Sequence, residues 1–249
     1  MKYLFLFLLV ANMASAQQLP ASPVNLANEL LAMVKQKQEV KQIVSALEQV
    51  SPEALSTALY SDDVKLAFWI NIYNAFIQIK LQEDSNAYAN RSKFFKSRTI
   101  IIAGQKLSFD DIEHGILRSG KIKWSLGYLN NPFLSKFIKS AQVHELDWRI
   151  HFALNCGAMS CPLVEFYDAK DIRKQLENST NLFLMFESAY DSTTNEMKLP
   201  KLFRWFKGDF GGKKGIYKIL ETREYIPVGS KPKLVYTEYD WSLAPAKFR

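Results

Sequence analysis

The chain has 249 residues, 48% of them hydrophobic and 23% charged, with 32 basic against 25 acidic residues for a formal net charge of +7. That length and apolar content can bury one substantial core without a metal, and two cysteines are too few for a disulfide-stapled miniprotein. The basic excess is scattered among acids and aromatics and forms no stripe that could track phosphates, so no nucleic-acid partner is expected.

Met1, Lys2 and Tyr3 precede an apolar run from Leu4 to Ala11 and the small residues Ala14, Ser15 and Ala16. That is the order of a secretory signal peptide, so residues 1–16 are read as a signal with Gln17 as the mature terminus and a periplasmic or secreted destination. Removing Lys2 takes the charge from +7 to +6. The apolar run is shorter than the ~20 residues of a permanent span and nothing later supplies one, so no integral membrane segment is expected after cleavage. A basic exported protein fits a place near anionic wall polymers or lipid headgroups.

Residues 17–58 read as a helical extension and 59–249 as the principal domain, together one compact α+β unit. From Val24 to about Gln49, apolar residues recur at helical spacing, and Ser51-Pro52-Glu53 restarts a helix. Asp63 to Leu81 is apolar on nearly every side and predicts a central, buried helix. Glu83 to Lys93 reads as a surface loop, Thr99 to Ile102 as a short strand, and Ser108 with Asp111 as the start of a helix ending before Gly120. Asn130-Asn131-Pro132 marks a turn, with Phe133 to Lys139 helical after it. Trp148 to Leu154 alternates like a strand and runs into Cys156. A helix is expected near Ala169–Ala189, then a short aromatic one over Leu199–Phe206 broken by Gly208, Gly211 and Gly212, and a terminal strand over Lys233–Trp241.

Three constellations carry chemistry. Asn71, Asn74 and Gln78 share one face of the central helix, where buried amides either bind local backbone or line a substrate cavity. Asp110, His114 and Arg118 share a face at four-residue spacing, which suits a histidine acting as general base or one that ties a helix to its neighbours. His144 sits in polar surroundings and reads as solvent-facing. Cys156, at a junction followed by Gly157, can present a thiol with backbone N–H groups behind it, while Cys161 is close enough to form a disulfide with it; two small buried hydrophobes are the alternative. No ligand spacing points to a metal, and no motif to a cofactor.

The runs Phe68–Ala75, Ile112–Arg118, His151–Pro162, Phe203–Phe210 and Tyr239–Leu243 together resemble the family catalogued as domain of unknown function 547, from about Leu59 to Leu243. The resemblance implies a fold related to papain-like and transglutaminase-like cysteine hydrolases, with Cys156 as the family cysteine and His114 and His151 as candidate histidines. Eukaryotic relatives often carry serine where this chain has Cys161, which singles out Cys156. Papain-like enzymes place the nucleophile before the histidine; here no histidine follows Cys156, so the element order must be rearranged.

The reading is therefore a thiol hydrolase or acyltransferase acting on peptide-like amides, with a peptide or cell-wall substrate. Cys156 attacks, His114 is the base with His151 as its competitor, and a local backbone N–H with Asn71 or Asn74 binds the oxyanion. The alternative is a non-enzymatic binding or scaffold module in which Cys156 and Cys161 are disulfide-bonded.

Overall fold

The computed structural model describes residues 22–244 and 247–249; the expected signal peptide lies outside them. Where one long helix was expected from Val24, two form: α1 (Pro23–Lys35) and α2 (Lys41–Gln49). Lys37 adopts a left-handed φ of 56° and the Lys37 and Gln38 N–H groups turn back onto Val34 and Met33, which ends the first helix. Ser51 caps α3 (Pro52–Ala58). Ser61 caps α4 (Asp62–Glu83), whose Asp62 and Asp63 face its positive end.

Helix α4 is the axis of the molecule. Every residue from Val64 to Ile79 is buried, because α1 covers one side and the π-helical turn Asp111–Leu117 another. Each large apolar side chain buried there stabilises the fold by ~1.5–3 kcal/mol. Leu26, Leu30 and Leu31 of α1 belong to the same core as Trp69 and Ile72, so the N-terminal extension is part of the main core.

The expected loop after residue 83 is instead a 3-10 turn, Ser85–Asn90, capped by Asp84, leading into α5 (Arg91–Lys96). Strands β1 (Ile100–Ile102) and β2 (Gln105–Leu107) pair as a hairpin. After the π-helical turn come α6 (Lys136–Ala141) and α7 (Ile172–Glu187). A three-stranded sheet then forms: β3 (Ala189–Asp191) antiparallel to β4 (Glu196–Leu199), and β4 parallel to β5 (Lys233–Tyr236). Between β4 and β5 lie α8 (Leu202–Trp205) and α9 (Gly212–Thr222). The α+β class is as expected. Helix α9 was hidden by its glycines, and the terminal strand stops at Tyr236, after which the chain crosses back to the cysteine loop.

The largest departure concerns Trp148–Leu154, which is no strand. Residues Trp148–Phe152 form a 3-10 helix because Asp147 accepts the Arg149 N–H and also holds the Arg149 guanidinium at 2.9 and 2.7 Å. Its alternation is cosmetic, since Ile150, His151, Phe152 and Ala153 are all buried. This turn follows the seam between two cores: Ile150 and Ala153 pack into the larger one, and Phe152 into a second built from β4, α8 and α9.

Candidate functional site

The amides of α4 hold the cysteine loop in place. Asn74 donates to the Ala153 carbonyl at 3.0 Å and accepts the Asn155 N–H at 2.9 Å, gripping the chain just before Cys156. Asn155 in turn donates to the Pro162 carbonyl and accepts the Gly157 N–H. Asn71 spends both its N–H groups on Asn28 and the Tyr167 carbonyl, and accepts from the Tyr167 N–H. The oxyanion role expected of Asn71 or Asn74 therefore gives way to the structural alternative: their hydrogen bonds go to protein, and neither lines the cavity described below. The expected backbone donors are also committed, since the Cys156 N–H goes to Cys161 Sγ at 3.0 Å and the Gly157 N–H to Asn155.

Both cysteines are thiols, and they behave as a pair. The Tyr239 hydroxyl lies 3.3 Å from Cys156 Sγ and 3.2 Å from Cys161 Sγ. The hydrogen bond to Cys161, together with burial, pushes the Cys156 thiol well above its usual range. Burial opposes ionisation at Cys161 too, but hydrogen bonds from Cys156, Tyr239 and backbone outweigh it and bring that thiol down. Cys156 is thus protonated near neutral pH and requires a base to react.

The two histidines have partners of opposite kind. Ser108 and Asp111 cap the π-helical turn reciprocally, each N–H 3.0 Å from the other's side chain, and its wide last turn, closed by the Arg118 N–H on the Glu113 carbonyl, lines His114 up with Arg118. Arg118 Nη1 is 2.9 Å from His114 Nδ1. A guanidinium can only donate, so Nδ1 accepts and the His114 proton sits on Nε2. Burial and the Arg118 charge then hold His114 neutral, far below its ordinary pKa. Its Nε2–H is buried with no hydrogen-bond partner among the described residues; Asp110 Oδ1, at 3.6 Å, is too far.

His151 Nε2 lies 2.8 Å from Asp209 Oδ2. A carboxylate can only accept, so His151 also carries its proton on Nε2, but this leaves the Nδ1 lone pair, which makes no hydrogen bond among the described residues. Burial lowers the His151 pKa, with Asp209 pulling the other way. The ring stacks on Phe206 at 3.8 Å between centroids. Asp209 is itself buried and receives Arg118 at 2.6 and 3.1 Å, so one carboxylate orders both histidines. It sits under the loop Leu126–Tyr128, where the Gly208 N–H reaches the Leu126 carbonyl; Gly127 has a φ of +90°, and a Cβ there would fall 2.0 Å from Asp209.

Cys156, His114 and His151 line one cavity of about 380 Å³ at the seam of the two cores. Phe95, Trp124, Trp205, Phe206 and Trp241 make its walls aromatic. Its polar rim holds Asp110 paired with Lys123 at 2.7 Å, and Glu113, whose carboxyl burial pushes up to about 7 beside the Tyr73 hydroxyl. His144, by contrast, is exposed and paired with Asp62. Among the described residues no cluster of His, Cys, Asp and Glu is arranged to hold a metal. The sequence reading had not named Asp209 or Tyr239 as site residues. A single acid amid seven basic residues from Lys198 to Lys218, between Gly208 and Phe210, was the available signal for the first.

The model of the family described as "Protein of unknown function, DUF547" matches residues 57–184. The chain belongs to that family. The DUF547 match contains Cys156, His114 and His151, while Asp209 and Tyr239 come from the part of the chain after it. Comparisons with curated proteins and with solved structures found no match. No helix among the described residues of this DUF547 member is long and apolar enough to cross a membrane.

Proposed function

We propose that this chain is an exported thiol hydrolase or acyltransferase acting on peptide-like amides in the periplasm or outside the cell. The observation that carries the reading is a cavity lined by both Cys156 and His151, with His151 Nε2 fixed by a buried carboxylate and its Nδ1 without a hydrogen bond among the described residues. That is a nucleophile, a base and an orienting group. The base role moves from His114 to His151, because Arg118 occupies the only lone pair His114 has.

Cys156 Sγ, whose hydrogen-bond partner in the free protein is Tyr239 and not His151, bonds to the amide carbon as its proton passes through one water to His151 Nδ1, and the carbonyl electron pair moves onto oxygen. The pair returns as the C–N bond breaks, and His151 gives the proton to the departing amine. Water, or an amine acceptor, then attacks the thioester carbon and loses its proton to Nδ1; the C–S bond breaks to release the acyl product, and Nδ1 returns the proton to the Cys156 sulfur. His114 contributes its Nε2–H, covered in the free protein and uncovered as substrate enters, as a donor to the developing oxyanion. Tyr239, whose own ionisation burial suppresses, stays protonated with its hydroxyl within hydrogen-bond reach of both sulfurs. The aromatic walls favour an amide whose acyl side is apolar or aromatic, such as a peptide or a wall peptide stem.

The test is trapping. Protein incubated with a panel of peptide anilides and quenched in acid is expected to carry an acyl adduct on the peptide containing Cys156, absent in Cys156→Ser. Failure of every anilide in the panel to acylate Cys156 would count against the thiol-enzyme reading.

A further inference from the structure

On the second core, away from the thiol cavity, Lys207, Lys213, Lys231 and Lys233 converge on one hollow of about 620 Å³, with Thr194 and Asn195 on its edge. These lysines come from three separate segments: the turn after α8, the first turn of α9, and the entry to β5. Lys233 is paired with Glu196 at 2.7 Å, whereas Lys207, Lys213 and Lys231 have no carboxylate partner among the described residues.

The surroundings sharpen that positive potential. Against the expectation of scattered charge, the chain from Lys198 to Lys218 carries seven basic residues and one acid, Asp209, which is buried against Arg118; of the seven, Lys201 is paired with Glu238. Lys213 and Lys214 also stand in the first turn of α9, where the helix end is itself partly positive and a carboxylate would be the stabilising choice. Like charges gathered over a concave, partly apolar floor focus the field toward the hollow.

We propose that this hollow binds a ligand carrying clustered phosphate groups. Lysines act here as point charges, a mode of phosphate binding that needs no forked geometry, and three of them around one space match several phosphates better than one. The site is independent of the thiol chemistry proposed above, so either can fail alone.

The experiment is titration calorimetry of the full chain with sodium tripolyphosphate and, separately, orthophosphate. It compares wild type with Lys207→Gln/Lys213→Gln/Lys231→Gln and with a control carrying Lys93→Gln/Lys139→Gln/Lys174→Gln on exposed positions elsewhere. The expected result is binding of tripolyphosphate at least about tenfold tighter than orthophosphate, weakened by salt, reduced about tenfold or more in the first variant and less than about twofold in the control. No binding of tripolyphosphate, or equal loss in both variants, overturns the proposal. Sedimentation with phosphatidylglycerol vesicles separates the sources: capture lost in the first variant assigns the phosphates to a lipid surface, and no capture with tripolyphosphate binding intact assigns them to a soluble or polymeric ligand.

Discussion

His114 and His151 are both buried, both neutral and both protonated on Nε2, yet the cavity uses opposite ends of them. His114 faces a guanidinium, which takes its lone pair and leaves a donor. His151 faces a carboxylate, which takes its donor and leaves a lone pair. Sequence spacing favoured His114, since Asp110 stands four residues before it. In the structure that acid is turned to Lys123, and the carboxylate that matters is 58 residues beyond His151. The chemical role of a histidine is set by the charge of its second neighbour, and that neighbour is chosen by tertiary packing.

The comparison breaks most severely at the carboxylate the two sides share. Asp209→Ala strands the fully buried Arg118 charge and frees both histidines, and it is expected to cost ~3–5 kcal/mol in urea unfolding. Asp209→Asn, which keeps the shape, is expected to cost less while still lowering Cys156 reactivity. Gly127→Ala acts on the same point through the backbone. Its added methyl would enter the space of the Asp209 carboxylate from a residue already at positive φ, and a loss of a few kcal/mol is expected by the same measurement.

A milder change separates the pH behaviour of the two neighbours on the His114 side. Burial raises the Glu113 pKa from 4.5 to about 7, so the folded protein holds that proton more tightly. Its contribution to stability is full below about pH 4.5 and is lost as pH rises through 7. The His114 pKa is depressed, so its contribution is present above the ordinary value of 6.5 and is lost as pH falls below it. Glu113→Gln should remove the first slope alone, raising stability at pH 8 relative to pH 5 by roughly 1–3 kcal/mol as followed by thermal melts at the two pH values.

The smallest expected effect is at the thiol pair. The Cys161 hydrogen bond holds the Cys156 proton together with burial, so Cys161→Ser is expected to lower the Cys156 pKa. Alkylation of Cys156 at pH 7 should speed up several-fold, with little change in melting temperature. The two-cysteine scaffold reading predicts instead a large loss of stability in the same variant.

Much of the scaffold was legible in the sequence because it rests on local signals. The apolar run of α4, the Ser108–Asp111 cap and the Ser51-Pro52 helix start all describe their own neighbourhoods. Gathering Cys156, His114 and His151 as candidates was likewise possible from residue type and family resemblance. Trp148–Phe152 misled because a fully buried 3-10 turn can alternate in hydrophobicity by chance, and only the Asp147–Arg149 contact fixes its shape. The amides of α4 could be recognised as buried but not assigned, since Ala153, Asn155 and Tyr167, which satisfy them, are about 80 to 100 residues distant in the chain. Tyr239 reaches the site because the chain after β5 folds back over the cysteine loop, and Asp209 because its turn packs against the Leu126–Tyr128 loop.

The most direct test of the account is the rate at which a mild thiol electrophile labels Cys156 at pH 7 in His151→Gln and in His114→Gln, with circular dichroism confirming both folds. If His151 is the base, its variant should label ~10²-fold or more slowly than wild type, while the His114 variant labels within a few-fold of it and loses instead the capacity to turn over an acyl substrate. Slow labelling in His114→Gln with a wild-type rate in His151→Gln would contradict the assignment and return the base role to His114.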